Sequence, residues 1–167
     1  MKKFVKYTVA ILLALIMSGM TVYAGPQFTS VDDFSYILPP EVKKSTAHEN
    51  SVLRGEFFAS AELTITNEKG EIGVTALTFM NVPVDELYMT VYLDKWIEKE
   101  KRWSQVTFYD FEFFGENYPD GLTSETVEFI IDNQPKGNYY RLRGTFVAIK
   151  DGAMEGFGPV TDGILIE

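Results

Sequence analysis

Residues 87–97, LYMTVYLDKWI, decide the fold of this chain because their polarity alternates along the segment. The residues that the alternation predicts to face inward are Leu87, Met89, Val91 and Leu93, and those that it predicts to face outward are Tyr88, Thr90, Tyr92 and Asp94. Successive side chains of a β-strand point to opposite faces of its sheet. The stretch therefore predicts a β-strand that is buried on one face.

Six more segments show strand-like patterns, and turn-forming residues separate them. They are residues 61–66, 71–80, 102–114, 125–132, 138–149 and 160–166. The aromatic segment 102–114 changes phase along its length, which predicts a bulge or an edge position. No segment after residue 24 has the pattern of a convincing amphipathic helix. About seven short strands without covering helices predict an all-β protein, an antiparallel β-sandwich.

One tyrosine predicts a further feature of such sandwiches. Pro135-Lys136-Gly137 turns the chain, and Tyr140 follows at the start of the next strand. A tyrosine at this place forms a tyrosine corner in many sandwich domains: its ring enters the core and its hydroxyl bonds to backbone a few residues upstream. The alternative is an ordinary core tyrosine with a polar tip.

The C-terminal segment NYYRLRGTFVAIKDGAMEGFGPVTDGILI, residues 138–166, resembles the last two strands of a fibronectin type III domain. Several motifs are also similar, in the same order, to a family of small exported proteins of Gram-positive bacteria whose shared domain has no assigned function. These motifs are Arg54-Gly55, TITNEKGEIGV (64–74), VDELYMTVYLDKW (84–96), YYRLRG (139–144) and TDGILI (161–166). The resemblance covers about residues 52–167. It implies an immunoglobulin-like or fibronectin III-like architecture and export, and it carries no catalytic residues.

The N-terminus has the layout of a secretory signal peptide. Three lysines among residues 1–6 precede an uncharged run at residues 7–17, and Val22 and Ala24 supply the small residues of a cleavage site. The alternative is an uncleaved membrane anchor, but the apolar run is about half the length of a spanning helix, which needs roughly 20 residues. We therefore predict cleavage after Ala24 and a secreted or extracellular protein, including one associated with the cell surface.

The mature chain divides into an arm and a domain. Residues 25–50 contain Pro39-Pro40 and no sustained periodicity, which predicts an extended, partly disordered arm or linker. Its apolar patch, residues 34–38, is suited to dock on the domain that follows. The predicted organisation is thus a signal peptide at residues 1–24, an N-terminal arm at 25–50 and a β-sandwich at 51–167.

Charge and composition exclude several functions. Removal of the first 24 residues, with three lysines and no acid, changes the formal charge from −9 to −12. Such a surface disfavours nucleic acid and anionic lipid, which bind through lysine and arginine. We predict no nucleic-acid binding and no stable membrane insertion after cleavage. The chain has no cysteine, and its one histidine, His48, lies in the arm. No disulfide, thiolate site or His-dependent catalytic triad is therefore expected in the domain.

Acidic side chains cluster in two places without the spacing of a strong calcium motif. The residues concerned are Asp110, Glu112, Glu116, Asp120, Asp151 and Glu155. None of them follows the D-x-D-x-D-G pattern. Glycine-rich phosphate loops are also absent from the sequence. A weak structural calcium site stays an open alternative, and we predict no metal, no cofactor and no enzymatic activity.

Aromatic residues on two adjacent strands are the best indication of a binding role. The candidate ligand-binding residues are Tyr88, Tyr92, Trp96 and Trp103. An exposed row of rings suits stacking on sugars or on peptide side chains. The alternative is that the rings are buried in the core or beneath the arm.

Arg141 and Arg143 should point away from the core, opposite Tyr140 and Leu142. Either they pair internally, with Glu128 on a neighbouring strand as the expected partner, or they bind a carboxylate or sulfate group of a ligand. In a chain this acidic, we expect internal pairing.

The sequence thus predicts an exported, non-enzymatic β-sandwich that acts as an interaction or cell-surface-associated module with a protein or glycan partner. The alternative is a carbohydrate-binding domain that uses the aromatic strands. The third hypothesis is that the protein is an enzyme or an enzyme inhibitor of unrecognised type.

Overall fold

A computed structural model describes residues 28–50 and 56–167 of the chain. The described residues form nine strands: β1 Lys44–Asn50, β2 Phe58–Glu68, β3 Glu71–Val84, β4 Glu86–Ile97, β5 Arg102–Phe114, β6 Leu122–Ile131, β7 Asn138–Lys150, β8 Ala153–Phe157 and β9 Ile164–Ile166. The predicted signal peptide, residues 1–24, lies outside the described residues, as do residues 51–55, where the predicted arm meets the domain. Within the described ranges no helix is long and apolar enough to cross a membrane.

The strands form two antiparallel sheets that pack against each other. Sheet I has the order β1-β2-β3-β6, and sheet II has the order β5-β4-β7-β8, with β9 pairing the first residues of β7. The prediction of an all-β antiparallel sandwich is confirmed. The strands number nine rather than about seven, because β1 and the short hairpin strand β8 add to the predicted set.

The core lies between the sheets and follows the predicted alternation. The four residues of β4 that were predicted to face inward, Leu87, Met89, Val91 and Leu93, are all fully buried. Leu63 and Ile65 of β2 face them from sheet I and are also fully buried. Full burial of one such side chain contributes about 1.5–3 kcal/mol. Alternation on strands of both sheets therefore specifies which face of each sheet is inside.

Strand β5 is both an edge strand and a bulged one, as its irregular phase predicts. Leu93 of β4 lies opposite Thr107, whereas the next residue, Asp94, lies opposite Gln105, so that Val106 is the extra residue. The bulge changes which positions of β5 face outward. As a result, Trp103 before the bulge and residue 108 after it share the outer face of sheet II.

The tyrosine corner is present. Tyr140 is fully buried, and its hydroxyl donates a hydrogen bond of 2.9 Å to the carbonyl oxygen of Pro135. Burial raises the pKa of the Tyr140 phenol above its ordinary value. The hydroxyl thus fixes the turn that leads into β7, the central strand of sheet II.

The N-terminal segment is more ordered than the sequence suggests. Residues 44–50, predicted as part of an extended arm, form β1 and pair with β2 along their whole length. Before β1, the chain passes Gly163, which exchanges backbone hydrogen bonds with Tyr36 and Leu38 (2.8 and 2.9 Å). The apolar patch 34–38 docks through Leu38, which packs on the core, while Phe34 and Tyr36 stay exposed.

Candidate functional site

Two buried arginines lie on the outer face of sheet II. Arg141 and Arg143 of β7 are 0% and 2% exposed, and they share the carboxylate of Asp94, which is also 0% exposed. Both Nε groups donate to Asp94 Oδ2, at 3.0 Å from Arg141 and 2.6 Å from Arg143, and Arg143 Nη2 donates to Oδ1 at 3.1 Å. The pairing follows from the register, since Asp94 lies directly opposite Arg141.

Each guanidinium group also lies over an aromatic ring. The Arg141 guanidinium carbon is 4.7 Å from the centre of the Trp103 ring, and that of Arg143 is 4.6 Å from the centre of Tyr92. A cation held over a ring face is attracted by the ring quadrupole, more so when water is excluded. We call these five residues the arginine cluster.

The N-terminal arm covers the arginine cluster. Arg143 donates to the carbonyl oxygen of Thr29 at 3.2 Å, and Arg141 donates to those of Val31 at 2.8 Å and Asp33 at 2.6 Å. The three acceptors are alternate residues, and the segment that carries them contains a turn in which the Asp33 N–H donates to the Ser30 carbonyl at 3.0 Å. The sheet therefore holds the arm through its backbone.

The electrostatics of the arginine cluster favour this covering. Two guanidinium charges face one carboxylate, so the group carries a formal charge of +1 that the carbonyl dipoles of the arm help to stabilise. Burial lowers the pKa of Arg141, and the neighbouring Asp94 carboxylate opposes that shift. Across the described residues every buried side-chain polar atom has a hydrogen-bond partner. The cluster is thus a closed network that fixes the arm.

The prediction of internal pairing for the arginines is confirmed, but the predicted partner is wrong. Glu128 lies on β6, opposite Thr75 in sheet I, and not on a strand next to β7. The physical reason is topological: β7 pairs with β4, and Asp94 is the outward-facing acid of β4 that lies opposite Arg141.

A cleft opens beside the arginine cluster, between the arm and the end of the β4–β5 hairpin. Its volume is about 330 Å³, and its walls are residues 31–35 of the arm together with Trp96, Lys101, Arg102 and Trp103. We call it the arm–hairpin cleft. Because one wall is the arm, the cleft exists only while the arginine cluster holds that segment in place.

Two of the four predicted site residues meet at this cleft. Trp96 and Trp103 lie directly opposite each other in the β4–β5 register, and their ring centres are 5.3 Å apart in an edge-to-face arrangement. Trp103 is 6% exposed, whereas Trp96 is half-buried and donates through Nε1 to Glu98 at 2.7 Å. Trp96 is therefore the ring available to a ligand, and Trp103 supports it.

The other two predicted residues do not reach the cleft. Tyr92 lies beneath Arg143 in the arginine cluster. Tyr88 lies further along β4, where its hydroxyl donates to the carboxylate of Glu86 and this bond raises the pKa of Tyr88. Both side chains face outward as predicted, but the four rings do not form one continuous row.

Two of the acidic side chains weighed as calcium ligands, Asp110 and Glu155, make other contacts. Asp110 accepts a hydrogen bond of 2.6 Å from the Thr90 hydroxyl. Glu155 accepts backbone N–H bonds from residues 56, 57 and 58 at 2.7, 3.2 and 2.8 Å, which joins β8 to the start of β2. Among residues 28–50 and 56–167 no three histidine, aspartate or glutamate side chains are grouped as metal ligands.

The sequence did not reveal two components of the site. Asp94 was placed on the outward face, yet its pairing with Arg141 and Arg143 required knowing that β4 and β7 are neighbours. Of the arm wall, residues 31–35, the sequence indicated only the apolar patch that begins at residue 34. Arg141 holds this wall mainly through backbone carbonyls, which every residue possesses, and through the Ser35 hydroxyl. A search for outward-facing opposite charges on different predicted strands would have found the first component.

Comparisons with known proteins identify no relative: no protein-family model matches the chain, and no curated protein is significantly similar to it. A function has to be inferred from the fold and from the arm–hairpin cleft.

Proposed function

We propose that this protein is an exported, non-enzymatic β-sandwich that binds a protein or glycan partner, as an interaction or cell-surface-associated module. The observation that carries the proposal is the arm–hairpin cleft, an open cavity of about 330 Å³ with two tryptophans in its lining. The one serine of its lining, Ser35, accepts a hydrogen bond from the Arg141 guanidinium, which is a donor and not the base that acyl transfer by a serine would require. Rings and charged groups in a preformed cavity are typical of a binding site.

An immunoglobulin-like or fibronectin III-like architecture is part of this proposal. Along the chain, β2 and β3 lie in sheet I, β4 and β5 lie in sheet II, β6 returns to sheet I, and β7 and β8 lie in sheet II. This succession, with β4 and β7 paired in the middle of sheet II, supports the assignment. The tyrosine corner at the start of β7 supports it as well, since it is a hallmark of such domains. Domains of this architecture serve as binding modules more often than as enzymes. The support that this gives to a binding role is an analogy from the fold alone.

Export is supported by the N-terminal sequence. The signal-peptide layout of residues 1–24 and the formal charge of −12 on residues 25–167 suit a protein that works outside the cell. The similarity of several motifs to exported Gram-positive proteins points the same way.

The second candidate function is carbohydrate binding. The pairing of Trp96 with Trp103 at the rim and floor of one cleft favours it, because an amphipathic ring presents an apolar face for stacking next to polar groups.

Two measurements on the same preparation of protein test the two parts of the proposal, export and binding. The full-length gene is expressed in a Gram-positive host, the protein is isolated from the medium, and its N-terminus is sequenced. We expect it to begin at Gly25. The isolated protein is then applied to arrays of glycans, peptidoglycan and extracellular proteins, and we expect saturable binding to one of them. A full-length product in the membrane fraction would contradict export, and absence of binding to every array would contradict the binding role.

A further inference from the structure

We propose that the arm–hairpin cleft binds an uncharged saccharide, which stacks on Trp96. This inference rests on the proposed function as a binding module and names the ligand class of its site. It follows from four properties of the cleft: its size, its rings, its balance of charge and its rigidity.

The size of the cleft suits a small ligand. Its volume of about 330 Å³ is near the lower end of the range of ligand pockets, about 300–1,000 Å³. A cavity of this size holds a short saccharide end or one or two sugar rings, and it is too small for a folded partner.

The rings supply an apolar surface at the place where a sugar would lie. Trp96 is half-buried at the rim, Phe34 of the arm is 76% exposed on the opposite wall, and Trp103 forms the floor. The C–H face of a pyranose is apolar while its edge carries hydroxyl groups, so it matches rings that stand beside polar side chains. A ligand that lacked an apolar face would leave Trp96 uncovered.

The lining residues of the cleft have a formal charge of zero, with two acids, Asp32 and Asp33, on the arm wall and two bases, Lys101 and Arg102, on the hairpin wall. Both bases already pair with acids of the hairpin, Lys101 with Glu98 and Arg102 with Glu100. Because neither base is left without a counterion, the cleft favours an uncharged ligand over an anion. The carboxylates of the arm wall can accept hydrogen bonds from the hydroxyl groups of a sugar.

The cleft is held rigid before a ligand arrives. Arg141 donates to the carbonyls of Val31 and Asp33 and to the hydroxyl of Ser35, so the arm wall is fixed at three points. A preformed site avoids the cost of ordering a loop upon binding. This matters for saccharides, whose individual contacts are weak.

A larger cavity at the other end of β4 fits this ligand class less well. Its volume is about 480 Å³, and Asp85, Glu86 and Glu116 line it with Lys150 as the one base. Phe114 is its one aromatic ring. It therefore has neither the paired rings nor the charge balance of the arm–hairpin cleft.

The chain contains two tryptophans, and both line the cleft, so intrinsic tryptophan fluorescence reports on this site alone. The mature protein is titrated with three uncharged probes: chitotriose, cellotriose and xylotriose. We expect a saturable change in emission with at least one of them. Trp96→Ala keeps Trp103 as the reporter and should weaken binding about tenfold, because a stacked ring contributes on the order of one decade of affinity.

Two further variants complete the design. Phe108→Ala removes an exposed ring on the same sheet face but outside the cleft, and it should leave the dissociation constant unchanged. Asp32→Asn removes an acceptor charge from the arm wall and should weaken binding several-fold. Thermal melts of all variants verify that the fold is retained.

The outcomes separate this inference from the proposed function. If none of the probes changes the emission while the arrays capture a protein partner, the saccharide site is refuted and the binding module stands. Saccharide binding that Trp96→Ala leaves intact and Phe108→Ala abolishes would refute the cleft as its location. If neither probes nor arrays show binding, both proposals fail.

Discussion

Replacement of Asp94 by asparagine should lower the free energy of unfolding by about 3–5 kcal/mol, the usual cost of removing one partner from a buried ion pair. Asparagine keeps the shape of the side chain but removes its charge, so that Arg141 and Arg143 would share a buried site without a counterion. The asparagine NH₂ group would also face guanidinium donors that need acceptors. Because a loss of 1 kcal/mol lowers Tm by roughly 2–4 °C in a protein of this size, Tm should fall by about 10 °C.

A matched control exists on the surface. Glu100→Gln makes the same change of carboxylate to amide in a pair with Arg102, whose side chains are half exposed. We expect no measurable change in stability, since exposed ion pairs contribute little. Chemical denaturation of both variants gives the comparison. Equal losses in the two variants would show that Asp94 is not the buried centre of an ion-pair network.

Truncation of Trp103 to alanine should cost about 3–5 kcal/mol, as large-to-small replacements of buried aromatic residues do. The ring is 6% exposed, it carries the Arg141 guanidinium on one face, and its edge lies so close to Gly163 that a side chain there would clash. Removing it opens a cavity next to a buried charge. Denaturant titration measures the loss directly.

Phe108→Ala is the appropriate reference for Trp103→Ala. Phe108 lies on the same strand and on the same outer face, but it is 53% exposed. Its truncation should cost less than about 1 kcal/mol, because substitutions at exposed positions usually have small effects. If Trp103→Ala lost no more than this reference, the ring would be an exposed stacking surface and the arginine cluster would be incorrect as described.

Local signals in the sequence predicted much of the fold. Alternation in β4 identified its buried face, the broken phase of 102–114 indicated the bulge at Val106, and the Pro/Gly turn before Tyr140 indicated the tyrosine corner. Each of these features depends on residues within about a dozen positions of one another. Pattern reasoning works at this range because the period of a strand is a local property.

The unpredicted parts are those in which partners are distant in sequence. Strand β1, KSTAHEN, has few apolar residues because it is an edge strand with one face in solvent, and its pairing with β2 makes it a strand. The contacts between the arm and Arg141 span more than a hundred residues. Apart from the one to the Ser35 hydroxyl, they use main-chain carbonyls, which leave no trace in the sequence.

The same reasoning explains the partial success with the candidate site. The outward phase of β4 and the aromatic content of β5 identified Trp96 and Trp103, which do line the cleft. The sequence could not show that Tyr92 lies under Arg143, because the alternation gives a face and not the neighbours on that face. Asp94 and Arg141 meet through strand order, which is set by the whole topology.

The central structural claim is that residues 29–35 lie across the outer face of sheet II, and one disulfide trap tests it directly. The natural chain has no cysteine, and the hydroxyls of Thr29 and Thr145 are 3.4 Å apart, so paired cysteines at these positions can form a disulfide within one chain. The control pairs Thr29→Cys with Thr126→Cys on the exposed face of β6 in sheet I. After mild oxidation, peptide mapping should show the intrachain link between positions 29 and 145 in nearly all molecules and none between 29 and 126. Free thiols at 29 and 145, or a link to 126, would contradict the placement of the arm.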